Sequence, residues 1–142
     1  MRADFAFVCD YAEIGKKINA LGIGFDTIYS EKMPCQHPFF FFVFQVRANV
    51  VEEGEKNLEV RLIDEDGKDV IPNLKGKITV GKPQTGTESI VRVATQLNNV
   101  TFPRYGVYSI HAVVDGTEMM SVSFKVSPQV NPAVPWPPPS PA

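Results

Sequence analysis

An alternating run of apolar and polar residues in the first half of the chain gives the strongest structural signal. From Phe44 to Val50 every second position is apolar, whereas Gln45, Arg47 and Asn49 between them are polar. This period of two is typical of a β-strand with one face in a core and the other in water. The run therefore predicts a half-buried strand.

Phe39 and Phe41 precede this run, on the face that becomes polar further along. Apolar side chains on that face need cover from another segment of the chain or from a partner. Two interpretations stay open. Either a neighbouring segment covers both rings, or they belong to a contact surface for a protein partner or a second copy.

Further alternating runs predict strands along the rest of the chain. They lie around residues 4–14, 18–29, 58–62, 77–80, 90–97, 108–114 and 120–126. Asp115-Gly116 joins the last two, and Asp-Gly between alternating runs is a strong hairpin signal. Gly22 and Gly24 fall within the second predicted strand, where isolated glycines indicate a kink.

These elements predict an all-β domain over residues 1–126. No segment shows the sustained 3.6-residue apolar period of an amphipathic helix, and strands joined by turns favour antiparallel sheets. We expect an antiparallel immunoglobulin-like β-sandwich of about seven or eight strands. Tyr108, two residues after Gly106, fits the tyrosine of such folds whose hydroxyl bonds to the backbone a few residues upstream.

Residues 127–142 differ in composition from the domain before them. They carry no charged side chain and are rich in proline, which predicts an extended polyproline II tail. Such segments dock on aromatic-lined grooves, and an indole is a common anchor at interfaces. Pro135, Trp136, Pro137 and Pro138 are therefore candidate partner-binding residues. The alternatives are a plain spacer or a tail folded back over its own domain.

Charge and composition narrow the partner classes. The formal net charge is −2, with basic and acidic residues intermixed. Without a basic patch we expect no nucleic-acid partner, and without a polybasic segment no membrane-surface partner. Asp4 lies where a signal peptide would begin its apolar run, so we expect a cytoplasmic protein with two reduced cysteines, or a virion protein if phage-encoded.

Motifs that carry chemistry are weak in this sequence. Cys35 and His37 form a single C-x-H pair, whereas structural zinc sites use paired close spacings. The Asp64–Gly67 segment lacks the later ligands of a calcium loop and predicts a turn. Hydrolase triad and phosphate-loop motifs are also missing. We therefore expect no enzyme activity, no cofactor and no metal.

The opening of the chain resembles an uncharacterised bacterial and phage-associated family, known as a domain of unknown function. The resemblance lies in Asp10-Tyr11-Ala12-Glu13, in Gly15-Lys16-Lys17 and in Gly22-Ile23-Gly24-Phe25-Asp26. The segments 59–67 and 103–108 are similar too. The resemblance implies a compact β-sandwich of bacterial or phage origin and brings no activity with it.

Taken together, the sequence predicts a non-enzymatic protein-interaction or structural assembly module, of phage or virion type if the resemblance extends to origin. The tail around Trp136 is its expected contact element, and the end of the domain that carries Phe39 and Phe41 is a second expected contact. The alternative is a small-ligand-binding domain of a bacterial cytoplasmic protein, which would use the Gly22–Gly24 segment as a backbone donor site.

Overall fold

The computed structural model describes residues 1–128 of the 142-residue chain, and these form ten β-strands and one short 3-10 helix. The strands are β1 (Arg2–Cys9), β2 (Tyr11–Ile14), β3 (Ile18–Leu21), β4 (Thr27–Tyr29), β5 (Cys35–Asn49), β6 (Gly54–Asp64), β7 (Leu74–Val80), β8 (Glu88–Phe102), β9 (Gly106–Val114) and β10 (Thr117–Ser127); the 3-10 helix is Val50–Glu52.

The strands form three sheets. The larger two have the orders β1-β5-β8 and β4-β10-β9-β6-β7, and β2 and β3 form a separate hairpin. Strands pair antiparallel except for β4, which runs parallel to β10. The prediction of an all-β chain with antiparallel sheets is therefore confirmed.

One apolar core is shared by the three-stranded and five-stranded sheets. The inward residues of β5 meet those of β6, β9 and β10 because alternate side chains of each strand point to the same side. Phe124 of β10 lies near the centre, with ring centroids 5.8 Å from both Phe40 and Phe102 and 6.2 Å from Tyr108. Aromatic packing across the two sheets thus holds the domain together.

A second, smaller core lies on the outer face of the three-stranded sheet. Phe41 and Val43 of β5 are buried there, together with Cys9 and with Ala12 from the β2–β3 hairpin. The hairpin thus covers the part of this sheet face around Phe41, which is the interpretation in which a neighbouring segment of the chain covers the apolar side chains.

The two N-terminal strand predictions were too long. Residues 4–14 break at Asp10, whose amide donates to the Leu21 carbonyl at 3.0 Å. Residues 18–29 break after Leu21, where Gly22 and Gly24 take positive φ angles of 66° and 74°. The hairpin forms a sheet of its own between these breaks, and the left-handed backbone at Gly22 and Gly24 turns the chain sharply at the second one.

Strand β7 is one edge of the five-stranded sheet, and its outward positions are polar. Lys75 and Lys77 are exposed along it, and Lys77 forms an ion pair of 2.8 Å with Glu55 on the neighbouring β6.

The corner before β9 has the hydrogen bond expected from the sequence. The Tyr108 hydroxyl donates to the Arg104 carbonyl at 2.5 Å, four residues upstream. The Tyr108 ring is buried against Phe102, with centroids 4.9 Å apart, and burial raises the pKa of the phenol. The corner therefore ties the β8–β9 connection to the core.

We expect Tyr108→Phe to lower the free energy of unfolding by about 1–2 kcal/mol, because the Arg104 carbonyl loses its donor. Urea denaturation followed by circular dichroism measures this change. Tyr11→Phe is the matched control, because the Tyr11 hydroxyl bonds to Glu13 at an exposed position. Equal stabilities of the two variants would contradict a stabilising role for the corner.

Candidate interaction surface

Three apolar side chains remain exposed around Phe41, and we call Tyr11, Leu21 and Phe39 the aromatic patch. Their exposed fractions are 42%, 68% and 45%, whereas Phe41 is 8% exposed beneath them. Rings of the patch contact Phe41 edge-on, with centroid distances of 5.4 Å to Tyr11 and 6.3 Å to Phe39. The patch is therefore contiguous and well supported from below.

Strand register explains why these residues meet. Tyr11 is paired with Leu21 across the β2–β3 hairpin, so both side chains lie on the same face of it. Phe39 lies two residues before Phe41 in β5, so the two rings share the outer face of the main sheet. The patch forms where the outer face of the hairpin meets the uncovered end of β5.

Polar side chains border the patch on β8. Gln96 is paired with Phe41 and Asn98 with Phe39, and the Gln96 amide donates to the Asn98 side-chain oxygen at 2.8 Å. On the hairpin side, the Tyr11 hydroxyl donates to the Glu13 carboxylate at 2.7 Å, which raises the pKa of Tyr11. An apolar centre with a polar rim is the usual anatomy of a protein interface.

The structure separates the two phenylalanines that the sequence had grouped. Phe41 is covered, with Tyr11 and the hairpin above it, whereas Phe39 remains exposed. Sequence reasoning missed Tyr11 and Leu21, because their contribution depends on where the hairpin lies. The other predicted partner-binding residues, Pro135, Trp136, Pro137 and Pro138, lie outside the described residues.

The other end of the same sheet face is polar and internally paired. Asp4 accepts hydrogen bonds of 2.7 Å from both Gln45 and Arg47, and Gln45 in turn accepts from Arg92 at 2.9 Å. The hydrogen bond from Gln45, followed by that from Arg47, lowers the pKa of Asp4 below its ordinary value. This network gives both the amide nitrogen and the amide oxygen of the buried Gln45 side chain a hydrogen-bond partner.

A second polar cluster lies at the turn after β6. The Asp64 carboxylate accepts from the backbone amides of Asp66 and Lys68, each at 2.9 Å, and Arg104 bonds to both Asp64 and Asp66. The Lys68 hydrogen bond is the main cause that lowers the pKa of Asp64. These carboxylates are used to close a turn, as the sequence predicted for this segment.

A serine, a histidine and a glutamate form a hydrogen-bonded chain on the outer face of the five-stranded sheet. The Ser109 hydroxyl lies 2.7 Å from His111 Nε2, and His111 Nδ1 contacts the Glu118 carboxylate. The connectivity is that of a hydrolase triad, which also needs donors for an oxyanion. Strand β9 pairs with β6 and β10 on both sides, so its backbone amides are already used.

The Gly22–Gly24 segment, which the sequence analysis considered as a backbone donor site for a small ligand, is hydrogen-bonded to the protein's own backbone. The Gly24 amide donates to the Val8 carbonyl at 2.8 Å. Gly22 has a φ of 66°, which favours glycine, and a Cβ added there would push the Asp10 carboxylate aside. The kink predicted here serves close packing between Asp10 and the β3–β4 connection.

Metal-ligating residue types do not gather in the described part of the chain, where no cluster of three or more His, Cys, Asp or Glu side chains has suitable geometry. Cys9 is buried and Cys35 partly buried, both as free thiols, and burial lowers the pKa of His37. Among residues 1–128, no helix is long and apolar enough to cross a bilayer.

Comparison with solved structures gives a similarity to Pseudomonas fluorescens alkylpurine DNA glycosylase AlkC bound to DNA containing an abasic site analog. The identity is 9% and the TM-score 0.45; the match covers 71% of this chain and 27% of the glycosylase chain. The chain thus spans about a quarter of the length of that enzyme. At this level of similarity, no activity or substrate is transferred to the present chain.

The match nevertheless corrects two exclusions made from the sequence. The sequence analysis had expected no enzyme activity and no nucleic-acid partner. Both exclusions are contradicted by a match whose chain is a DNA-bound enzyme, and they are withdrawn. Both had relied on missing motifs and on the absence of a basic patch, whereas residues that act together can be brought together by the fold.

Comparison with known sequences gives one family. No protein with a curated description matches the chain. A family of unknown function, DUF6941, matches residues 4–127, which includes every strand from β2 to β10. The resemblance drawn from the opening motif to an uncharacterised family is confirmed by this match. The chain belongs to DUF6941, a family of unknown function.

Proposed function

We propose that this chain is a protein-interaction or assembly module whose contacts are made by the aromatic patch and by the C-terminal proline-rich segment. The observation that carries the proposal is the exposure of Tyr11, Leu21 and Phe39 together, on a rigid support and beside a polar rim. Contiguous apolar surface of this kind is typical of contact sites.

The local structure favours a specific protein contact over non-specific hydrophobic association. The patch lies on paired strands, and Phe41 beneath it is buried in a second core that also fixes the hairpin. Rigid aromatic side chains lose little conformational freedom when a partner binds, so they give affinity at low entropic cost.

The proposal includes a finer description of the fold. We assign the two sheets to an immunoglobulin-like sandwich followed by an extended proline-rich tail, with the Tyr108 hydrogen bond to Arg104 as support. It also includes a cytoplasmic location, or a virion location for a phage-encoded member.

Site-specific photo-crosslinking tests the proposed contact surface. With p-benzoyl-phenylalanine at position 21, we expect a discrete adduct with one protein of the source cell, visible as a new band. The same amino acid at position 51 is the matched control, because Val51 is apolar and 89% exposed on the 3-10 helix.

Competition makes the result specific. Excess unlabelled chain should suppress the adduct from position 21, whereas excess of the Leu21→Asp variant should not. Equal adducts from both positions, or none from position 21, would refute the contact surface. Intramolecular crosslinks leave the mass of the chain unchanged and are therefore distinguishable from partner adducts.

A further inference from the structure

We infer that strand β8 is the contact edge of a homodimer, in which it pairs antiparallel with β8 of a second copy around a two-fold axis at Ala94. The three-stranded sheets of the two copies then join into one continuous sheet. This contact is made by the edge of the sheet, and it goes beyond the proposed function, which depends on the aromatic patch.

One side of β8 has no strand beside it. Within residues 1–128, β5 is the only strand that pairs with β8, so the N–H and C=O groups on its other side face outward. The Ser89 hydroxyl donates to the Gly81 carbonyl at 2.6 Å, which places the β7–β8 connection over the start of the strand. Asn99 has a positive φ of 49°, and the register with β5 is regular before it. The open, regular edge therefore consists of residues 90–98.

The sequence of this edge lacks the features that keep other edge strands unpaired. Exposed edges are usually protected by charge, by proline or by short length. Strand β4 has three residues, β1 carries Arg2 and Asp4, and β7 carries two exposed lysines. Residues 90–98 contain no glycine or proline, and Arg92 is their one charged side chain. An unprotected edge of this kind is the surface on which another strand pairs.

A two-fold axis at Ala94 pairs the whole open edge, because Ala94 is its midpoint. An axis normal to the sheet keeps the core-facing side chains of both copies on the same face. On that face, Val93 meets Thr95 of the second copy, and Val91 meets Leu97. Pairs of β-branched and aliphatic side chains directly opposite each other stabilise a sheet. The register thus extends the apolar face of the three-stranded sheet across the dimer.

Charge and burial favour a second copy as the occupant of this edge. On the outer face, Arg92 meets Gln96 of the second copy, whose amide oxygen offers an acceptor, so no like charges face each other. Val91, Val93 and Thr95 are only partly buried in one copy, and an identical strand covers them. Each copy has one such edge, so the pairing closes at two copies and does not continue into a fibre.

Analytical ultracentrifugation of the full chain tests the dimer, and we expect a monomer–dimer equilibrium. Gln96 is exposed, so its substitution leaves the core intact. Gln96→Arg places a second cation opposite Arg92 at two symmetric contacts, and the dissociation constant should rise about tenfold. Gln96→Glu places a carboxylate there and should lower the constant by about the same factor. Ser123→Arg is the matched control, because it adds a cation at an exposed position of the other sheet.

Several outcomes would overturn the β8 dimer. A monomeric mass at every concentration up to the solubility limit would exclude it, and species heavier than a dimer would contradict a closed pair. A dimer that responds equally to both Gln96 variants would place the contact on another surface. Hydrogen exchange at residues 90–98 should slow only at concentrations that favour the dimer, whereas slow exchange at every concentration would mean that the same molecule covers the edge.

The two proposals can fail separately. Photo-crosslinking from position 21 reports on the aromatic patch, whereas the mass and the Gln96 variants report on the β8 edge. Circular dichroism confirms that each variant is folded.

Discussion

Phe124→Ala is expected to lower the free energy of unfolding by about 3–5 kcal/mol, the range for removal of a buried aromatic ring. Phe124 is 3% exposed and its ring lies about 6 Å from the rings of Phe25, Phe40, Phe102 and Tyr108. The substitution therefore opens a cavity where both sheets meet, and the surrounding rings cannot all move in to fill it.

Urea denaturation followed by far-ultraviolet circular dichroism measures the loss. Phe5→Ala is the matched control, because Phe5 is exposed and stacks only on Phe7 among the ring contacts of the described residues, at 6.0 Å. We expect a change below about 1 kcal/mol for that variant. Similar losses for the two variants would mean that the aromatic cluster is not the main source of stability.

Phe41→Ala is expected to cost about 3 kcal/mol, whereas Phe39→Ala, two residues away on the same strand face, should change stability by less than about 1 kcal/mol. The difference arises because Phe41 is buried beneath the β2–β3 hairpin and Phe39 is not. This pair separates a structural role from a surface role within one strand.

Hydrogen exchange adds a local measurement to the same comparison. Loss of Phe41 should speed exchange at the amides of Tyr11 to Ile14 and Ile18 to Leu21 before it affects β9, because the hairpin packs on the second core alone. Uniformly faster exchange across all strands would contradict a locally anchored hairpin.

Much of the strand pattern was predictable from local sequence. Alternation placed Phe44 inward and Gln45 outward, Asp115-Gly116 identified the last hairpin, and Tyr108 was predicted to bond to the upstream backbone. Each of these depends on neighbouring residues, because side-chain period and turn chemistry act over a few positions.

Of the three residues of the aromatic patch, the sequence predicted only Phe39 as a contact residue. Phe39 and Phe41 look equivalent in the sequence, and only the position of the hairpin makes one exposed and the other buried. Leu21 appeared to be an interior residue of a long strand until the break at Gly22. The Ser109–His111–Glu118 chain was missed for a related reason, because Glu118 arrives across the β9–β10 hairpin. Such arrangements depend on tertiary contacts that local patterns do not encode.

The lysines of strand β7 affect whether copies of this protein can associate through the exposed edge of the five-stranded sheet. An uncapped strand offers a row of hydrogen-bonding groups to any identical neighbour, which is how fibrillar aggregates grow. Lys75 and Lys77 would meet their own counterparts in such a stack, and their mutual repulsion opposes it. The two lysines thus disfavour association through the β7 edge, on the opposite sheet from the exposed apolar side chains.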